Sequence, residues 1–506
     1  MRARRWGMLR PGMTIGVAMS VVAAGLTTQA AATPAVAATG LTLSVDVSAA
    51  RHAISPDIYG LNGADPAFAA EIGMPVARWG GNASSRYNFK NHTYNTGSDW
   101  YFENIVAGAD NTLESFVTTN RNRGTKQIVT VPMIGWVAKD SPSSHPFACG
   151  FPATRFPAQD EFDPWDANCG NGKLDGTNIS GADPTDTSIS ADASFAGEMV
   201  SHLVSRFGTA ARGGVRIYEL DNEPVLWSST HRDVHPQAVT YDELGSKGTA
   251  TAAAIKAADP SAAVLGPSGW GYCEWVASGL DGYAPGADAA AHGGRDFSQW
   301  YLKNMKDFGD AHGGRRFLNY FDQHYYPQIS GGKDPEANAL RLRSTRSLWD
   351  PTYVEESWIG PSGVNAPPLQ FIRTMKAWVA QYYPGTKVAI TEYNWGALDD
   401  INGACPRPGR SPRPALPVRR SSANWRRSRR RTRPLPQRHT FGQRKAIMEN
   451  PHRGNTIRRR PADPDLPPPP DGFAHRSKSG PDVAPYEPPH RRPGPPTIGT
   501  FDQLKG

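Results

Sequence analysis

The sequence is poor in cysteine and in long apolar runs. It contains only 4 cysteines in 506 residues, which suits an exported protein with a modest need for disulfide bonds. Outside the N-terminus, no apolar run approaches the roughly 20 residues that a membrane-spanning helix requires. Internal membrane spans are therefore excluded, and we expect no membrane partner.

Most of the chain also lacks a basic character, although the net charge is +8. Residues 405–506 contain 20 Arg, 3 Lys and 7 acidic residues, so this tail carries +16. Residues 1–404 are left with −8. An acidic globular part gives no reason to expect a nucleic-acid partner.

The first 37 residues have the features of a targeting segment. The basic stretch "MRARRWGMLR" precedes the short apolar run "MTIGVAMSVVAAGL". Ala35 and Ala37 then supply the small residues of a signal-peptidase site. We therefore predict a signal peptide over residues 1–37 and secretion to the extracellular space. The alternative, an N-terminal membrane anchor, is less favoured because the run is too short to span a bilayer comfortably.

Seven short apolar segments alternate with helical patterns between residues 55 and 396, which predicts an α/β fold built from β/α units. The predicted strands are 57–61, 75–81, 127–136, 215–224, 262–270, 317–327 and 387–396. Each ends in polar or aromatic residues, as expected where a (β/α)8 TIM-like barrel gathers its active site. We assign residues 57–404 to this barrel. Residues 38–56 are assigned to N-terminal strands of a small β domain.

The remaining 102 residues lack the pattern that an eighth β/α unit requires. Stretches such as "SSANWRRSRRRTRPLPQR" have no core-forming periodicity, which predicts disorder over 405–506. A GC-rich gene translated out of frame yields such Pro- and Arg-rich sequence, and a frameshift near codon 404 is the favoured hypothesis. The barrel would then lack its eighth unit and most of the β domain. The alternative is a genuine basic tail that binds polyanions.

Two glutamates end predicted buried strands. "YELDNEPVLW" places Glu223 at the end of the fourth strand, and "ITEYNW" places Glu392 at the end of the seventh. A single buried glutamate more often belongs to a structural ion pair. Two of them, on strands that face each other across a barrel mouth, favour the acid and nucleophile pair of glycoside hydrolysis.

A sugar-binding cleft also needs amides for hydroxyl groups and flat aromatic faces for pyranose rings. A single tryptophan is more often part of a core, but several at strand ends indicate a long cleft for a polymer. Asn222 is placed to bind a sugar hydroxyl, and Tyr325 or Tyr326 to donate a hydrogen bond to the nucleophile. The substrate-binding candidates are Asn82, Trp136, Asn222, Trp227, His324, Tyr325, Tyr326, Trp358 and Trp395.

The segment 137–190 lacks periodicity and is rich in Asp, Asn, Gly and Pro. Cys149 and Cys169 bracket part of it and are the favoured disulfide pair, although spacing alone does not prove the pairing. Asp163 and Asp166 offer the oxygen ligands that calcium prefers, but their spacing does not match the twelve-residue calcium loop. A plain polar loop and a structural Ca2+ site are thus equally compatible with the residues.

Longer segments carry a family resemblance. "LDNEPVLWSSTHRDVHPQAVTYDEL", "RWGGNASSRYNF", "DPWDANCGNG" and "YYPGTKVAITEYNWG" resemble glycoside hydrolase family 44 over residues 41–404. This resemblance implies a secreted endo-β-1,4-glucanase or xyloglucanase with a (β/α)8 barrel and a small β domain. It implies a retaining mechanism with Glu223 as acid/base and Glu392 as nucleophile, bound calcium, and Trp358 as a sugar platform.

The expected partner is therefore a β-1,4-glucan, and the expected state is a monomer. Cellulose, xyloglucan, mixed-linkage glucan and mannan are not distinguished by the residues. Two other hypotheses stay open at this point: an inactive, misfolded product of a frameshifted gene, and a carbohydrate-binding protein without catalysis. The presence of both glutamates argues against the second.

Overall fold

The computed structural model describes most of the predicted barrel. The described residues are 46–48, 51, 53–327, 329, 332–357, 359–360, 366–397 and 400–404. The predicted signal peptide, most of the predicted N-terminal strand region, the tail 405–506 and Trp358 lie outside these residues. Within the described part of the chain, no helix is both long and apolar enough to cross a membrane.

A seven-stranded, all-parallel sheet organises the fold, and its strands follow one another in chain order. The strands are β1 (Leu61–Asn62), β2 (Val76–Trp79), β5 (Lys126–Val131), β10 (Ile217–Leu220), β11 (Ala263–Gly269), β12 (Tyr320–Gln323) and β13 (Lys387–Ala389). Strands β1 and β13 are the two edges of this sheet. A parallel sheet with a helix after most strands is a partial (β/α)8 barrel, which confirms the predicted fold class.

Three antiparallel strand pairs lie outside the seven-stranded sheet. They are β3 (Thr93–Asn95) with β4 (Asn104–Val106), β6 (Trp136–Ala138) with β9 (Ser188–Ser190), and β7 (Lys173–Leu174) with β8 (Thr177–Asn178). Two of these pairs are formed largely within the long polar segment 137–190. The Cys149–Cys169 disulfide is present in the same region, as the sequence favoured.

Helices cover the outer face of the sheet. Their bounds are α1 (Pro66–Glu71), α2 (Leu113–Asn122), α3 (Ala193–Phe207), α4 (Trp227–Thr230), α5 (Tyr241–Ala258), α6 (Tyr272–Val276), α7 (Ala287–Ala291), α8 (Phe297–Ala311), α9 (Pro335–Ser344), α10 (Phe371–Tyr382) and α11 (Ile401–Ala404). The long helices begin at capping side chains, since Asp192 accepts from the Ser194 N–H and Thr240 from the Glu243 N–H. Their apolar faces join one continuous core with the outward-facing strand residues.

The first predicted strand is wrong in its position. Residues 57–61 were expected to be extended, but Pro56–Tyr59 form a 3₁₀ turn and β1 begins at Leu61. The Ser55 hydroxyl accepts from the Asp57 N–H, and Pro56 fixes its own backbone at the start of the turn. Local capping chemistry therefore overrides the short apolar run.

The interior of the sheet changes from apolar to polar along the strands. The apolar layer consists of Val76, Ile128, Ile217, Leu265, Tyr320 and Ala389. Because side chains alternate between faces, the residues two positions later point into the same interior. The polar residues of that second layer are Arg78, Thr130, Glu219, Asp322 and Thr391, and hydrogen bonds join them. The apolar layer thus closes the barrel below, and the polar layer forms the floor of a site at the carboxyl ends of the strands.

Candidate active site

A buried arginine organises this polar floor. Arg78 is 2% exposed, and its Nε donates to both carboxylate oxygens of Glu219 at 3.0 and 2.8 Å. Its Nη1 donates to Oε1 of Glu392 at 2.5 Å, and its Nη2 donates to Oδ1 of Asn222 at 2.8 Å. Burial alone would lower the pKa of Arg78, but the charges of Glu219 and Glu392 raise it. The guanidinium is therefore a fixed positive charge that orients three side chains at once.

Glu223 lies three residues beyond β10 in a left-handed backbone conformation, with a φ of 45°. This conformation is costly for a residue with a Cβ and persists only where the surroundings hold it. The Glu223 N–H donates to the carbonyl of Ser268 at 2.9 Å, and the 3₁₀ turn Pro224–Leu226 follows directly. The turn directs the Glu223 side chain to the carboxyl end of the sheet, where it is partly exposed.

A second buried carboxylate holds the turn that carries Glu223. Oδ2 of Asp221 accepts from the N–H groups of Met133 and Ile134 at 2.5 and 3.1 Å. Its Oδ1 accepts from the Asn222 N–H at 2.8 Å and from the indole N–H of Trp227 at 3.2 Å. Burial raises the pKa of Asp221, and these donors work in the opposite direction. Asp221 and Trp227 are thus structural supports of the acid-bearing turn.

Glu392 follows β13 and is held in the ionised state. Its Oε1 accepts from Arg78, and its Oε2 accepts from the hydroxyl of Tyr326 at 2.6 Å. Burial would raise the pKa of Glu392, but the charges of His324 and Arg78 and the Tyr326 hydrogen bond outweigh it and lower the pKa to about 2. At neutral pH the side chain is a carboxylate with both oxygens engaged by donors.

His324 lies between the two glutamates. Its Nδ1 is 2.9 Å from Oε1 of Glu223 and 3.7 Å from Oε2 of Glu392. Burial would lower the pKa of this fully buried imidazole, but the charges of Glu392 and Glu223 raise it to about 9. His324 is therefore an imidazolium at neutral pH, and it contacts the carboxylates rather than the open cleft.

The two glutamates are close enough to act on one bond. A carboxylate oxygen of Glu223, a ring nitrogen of His324 and a carboxylate oxygen of Glu392 all lie within 4.8 Å of one another. Retaining glycoside hydrolases hold their two carboxyl groups roughly 5–5.5 Å apart, whereas inverting enzymes need a wider gap for a water molecule. The nearest oxygens of Glu223 and Glu392 are thus no farther apart than 4.8 Å.

A chain of amides leads outward from this pair. The Nδ2 of Asn222 donates to Oδ1 of Asn82 at 3.0 Å, and Nδ2 of Asn82 donates to the carboxylate of Asp99 at 2.9 Å. The next residue, Trp100, packs against Trp165 with ring centroids 5.2 Å apart, and Trp165 is 57% exposed. The predicted Asn82 and Asn222 are thus brought together, and Asn82 is bonded to the residue that precedes Trp100.

Three residues predicted as substrate contacts lie in buried positions and bond to other side chains. Trp227 is 0% exposed and supports Asp221, as described above. Trp395 is 2% exposed and donates its indole N–H to the hydroxyl of Ser344. Tyr325 is 1% exposed and donates to Glu355, so Tyr326 is the member of the tyrosine pair that bonds to Glu392. None of these three faces is available for a sugar ring.

Trp136 is half-buried at the start of β6. The sequence reasoning missed Arg78, Asp99, Trp100 and Trp165. A charged Arg78 within the apolar stretch "PVARWGG" was the available signal, because an unpaired charge is expensive in a buried strand. The exposure of Trp165 had no comparable signal.

The predicted calcium ligands lie in a buried acidic cluster away from the two glutamates. Asp163 and Asp166 approach Glu103, and Glu103 is 0% exposed. Within the described part of the chain, both carboxylate oxygens of Glu103 and Oδ2 of Asp163 are buried without a hydrogen-bond donor. Burial, with the neighbouring Asp163 and Asp166, raises the pKa of Glu103 to about 10. Cys169 is adjacent, but its sulfur is held in the disulfide.

A pair of carboxylates at the carboxyl ends of parallel barrel strands is an arrangement that glycoside hydrolases use. The sequence model of glycoside hydrolase family 44 matches residues 93–329. A bifunctional glucanase-xylanase from a metagenome library is 41% identical, with a TM-score of 0.65 and 70% of each chain covered. A family 44 xyloglucanase from Paenibacillus polymyxa is 31% identical, with a TM-score of 0.51, and 69% of this chain and 68% of that one are covered. The chain belongs to glycoside hydrolase family 44.

Two curated proteins are similar over most of the barrel. Endoglucanase A of Paenibacillus lautus is 30% identical in an alignment of 394 positions that covers 72% of this chain and 52% of that protein. The β-mannanase/endoglucanase A of Caldicellulosiruptor saccharolyticus is 31% identical in an alignment of 396 positions that covers 71% of this chain and 28% of that protein. The chain therefore spans about half or less of the length of these curated relatives.

Proposed function

We propose that this protein is a retaining, endo-acting hydrolase of β-1,4-linked glucans, with Glu392 as nucleophile and Glu223 as acid/base. One observation carries the proposal above the others. Glu392 is held ionised by Arg78 and Tyr326. An oxygen of Glu223, a ring nitrogen of His324 and an oxygen of Glu392 all lie within 4.8 Å of one another. The expected roles of an attacking carboxylate and a proton donor thus fall on two different glutamates.

The reaction has two steps. The Glu392 carboxylate forms a bond to the anomeric carbon as the bond to the leaving oxygen breaks, and Glu223 transfers its proton to that oxygen. Glu223 then removes a proton from water, which attacks the anomeric carbon and releases Glu392. The 2.9 Å contact between Nδ1 of His324 and Oε1 of Glu223 fixes the orientation of that carboxyl group. Arg78 keeps Oε1 of Glu392 oriented throughout.

The substrate is proposed to be a polymer such as cellulose, mixed-linkage glucan or xyloglucan. The names of the similar proteins, which include an endoglucanase and a xyloglucanase, support this class. The exposed Trp165, which packs against Trp100, supports it as well, because flat aromatic faces pack against pyranose rings. Asn82 and Asn222 supply amide groups between this pair and the two glutamates.

Secretion and a structural calcium ion are part of the proposal. The Cys149–Cys169 disulfide supports an oxidising compartment, and therefore export. The cluster of Glu103, Asp163 and Asp166 fits a hard cation, because its buried carboxylate oxygens lack donors and calcium prefers oxygen ligands. A bound ion there would neutralise the cluster and stabilise the loop; the catalytic steps do not require it.

The test uses Glu223→Gln and Glu392→Gln variants, with Glu198→Gln as a matched control. Glu198 is an exposed residue paired with Lys90 on the outside of the barrel. Both site variants should lose endoglucanase activity by at least about 100-fold while the control keeps it. Retention of the β configuration in the first product, followed by NMR, tests the mechanism. Full activity in either site variant, or an inverted first product, would contradict the proposal.

A further inference from the structure

A buried carboxyl group that takes no part in the two proposed steps lies behind the acid/base residue. Glu274, in helix α6, is 0% exposed. Its Oε2 accepts from the backbone N–H of Trp270 at 2.8 Å. Its Oε1 is buried with no hydrogen-bond partner among the residues that the structure describes. A fully buried glutamate whose stated partner is one backbone N–H needs an explanation.

The backbone stretch that Glu274 holds also accepts hydrogen bonds from Glu223, the proposed acid/base residue, and from His324 beside it. The carbonyl of Ser268 accepts from the Glu223 N–H at 2.9 Å. The carbonyl of Gly269 accepts from the His324 N–H at 2.6 Å. The N–H of the third residue, Trp270, donates to Glu274. Three consecutive residues thus connect Glu223, His324 and Glu274.

This stretch is strained and crowded, so its position depends on its anchors. Ser268 has a φ of 60°, and the register between β11 and β12 shifts between Pro267 and Gly269. A Cβ at Gly269 would lie 2.4 Å from Oε1 of Gln323, so this glycine cannot be replaced without displacing its neighbour. The Ser268 hydroxyl donates to Glu219 at 2.9 Å on one side, and Glu274 holds Trp270 on the other.

We propose that Glu274 is a positioning residue for acid/base catalysis: it fixes the 268–270 stretch and thereby holds Glu223 and His324 in register. The proposal rests on the proposed function, because it assigns Glu274 to the proton transfer of that reaction. Glu274 does not touch the substrate. It acts through the Trp270 N–H and the two carbonyl groups that precede it.

The electrostatics of the pocket indicate which form of Glu274 performs this task. Burial raises the pKa of Glu274 to about 8, against the opposing effects of the Trp270 N–H and the His324 charge. Glu223 and Asp322 raise it further, and the buried hydroxyl groups of Tyr283 and Tyr301 face the same carboxyl. At neutral pH the group is a neutral carboxylic acid that accepts through one oxygen, and a glutamine side chain reproduces both properties.

The experiment compares Glu274→Ala and Glu274→Gln in the full chain on two substrates. Unsubstituted cello-oligosaccharides need a proton on the leaving oxygen, whereas 2,4-dinitrophenyl β-cellobioside has a leaving group that needs none. Glu274→Ala should lower kcat/KM for the oligosaccharide by about tenfold or more and leave kcat/KM for the aryl glycoside, which reports the first step alone, within about twofold. Glu274→Gln should restore the oligosaccharide rate. Tyr241→Phe is the control, because it removes a buried hydroxyl bonded to the Val276 carbonyl on the same helix.

The outcomes separate this proposal from the proposed function. A wild-type chain that hydrolyses neither substrate overturns the proposed function. The positioning role alone is overturned if the wild type is active and Glu274→Ala lowers the rates on the oligosaccharide and the aryl glycoside equally, or lowers neither. If Glu274→Ala does not fold, Glu274→Asp serves instead, because it keeps the carboxyl group but withdraws it by one methylene. The same selective loss is then expected, and equal rates would overturn the proposal.

Discussion

The hydroxyl of Tyr326 donates to Oε2 of Glu392 across 2.6 Å, while Arg78 donates to the other oxygen across 2.5 Å. Glu392 is therefore held from both sides by groups that are far apart in the sequence. The charge of His324 and these two donors favour its ionised form, and they offset the burial that would otherwise protonate it. Glu392 is thus a carboxylate at neutral pH.

Replacement of Tyr326 by phenylalanine should shift the acidic limb of the pH–rate profile to higher pH. The pKa of Glu392 is lowered to about 2 in part by this hydrogen bond, so its loss lets the pKa rise. The fraction of ionised nucleophile then falls at a higher pH than in the wild type. The measurement is kcat/KM for a soluble glucan between pH 3 and 8. Tyr325→Phe is the matched control, since its hydroxyl donates to Glu355 instead, and an unchanged acidic limb in Tyr326→Phe would contradict the account.

Replacement of Arg78 by lysine should abolish activity and destabilise the barrel, although the charge is kept. A lysine ammonium cannot reproduce the fork that reaches Glu219, Glu392 and Asn222 together. Glu219 would be left buried with a poorer partner, at a cost of about 3–5 kcal/mol in the free energy of unfolding. Urea unfolding followed by circular dichroism gives this value. Stability equal to the wild type would show that the guanidinium fork is dispensable.

The stability of the protein should depend on pH through His324. The pKa of His324 is about 9 in the folded chain, against 6.5 as the usual value. Its contribution is therefore complete below pH 6.5 and is lost as the pH rises through 9, an effect of about 3 kcal/mol. The difference in unfolding free energy between wild type and His324→Asn should shrink over this window. Parallel pH curves for the two proteins would contradict the imidazolium assignment.

Calcium should raise the melting temperature of the protein, and Glu103→Gln should remove most of this increase. Without calcium, the same variant should melt at or above the wild type, because glutamine does not bring a third carboxylate beside Asp163 and Asp166. Differential scanning calorimetry with calcium and with a chelator measures both effects. If Glu103→Gln melts below the wild type in the chelated samples, the cluster is held by protein donors instead.

The sequence predicted the seven strands of the sheet because each is a short apolar run that ends in polar residues. It placed Glu223 and Glu392 at the carboxyl ends of the fourth and seventh strands for the same reason. It failed where local chemistry competes, as at Pro56, which starts a turn before β1. The tail 405–506 and the hypothesis of a frameshift lie outside the described residues.

Local sequence patterns could not predict which distant residues contact the site residues. Arg78 is separated from Glu219 by 141 positions and from Glu392 by 314, so only the curvature of the parallel sheet brings them together. Trp227 was expected on the cleft because it follows Glu223 closely. The sharp turn at Glu223 instead directs the indole of Trp227 inward, where its N–H donates to Asp221. Burial of an aromatic near a strand end is decided by such turns, which composition does not reveal.

The most direct test of the central claim is to trap the glycosyl-enzyme with 2,4-dinitrophenyl 2-deoxy-2-fluoro-β-cellobioside. The fluorine slows both steps, and the good leaving group lets the first step outrun the second, so the covalent intermediate accumulates. Mass spectrometry of peptic fragments should then show one added fluorocellobiosyl group on the peptide that contains Glu392. A label on any other residue, or none while the intact enzyme still hydrolyses glucan, would contradict the assignment of Glu392 as the nucleophile.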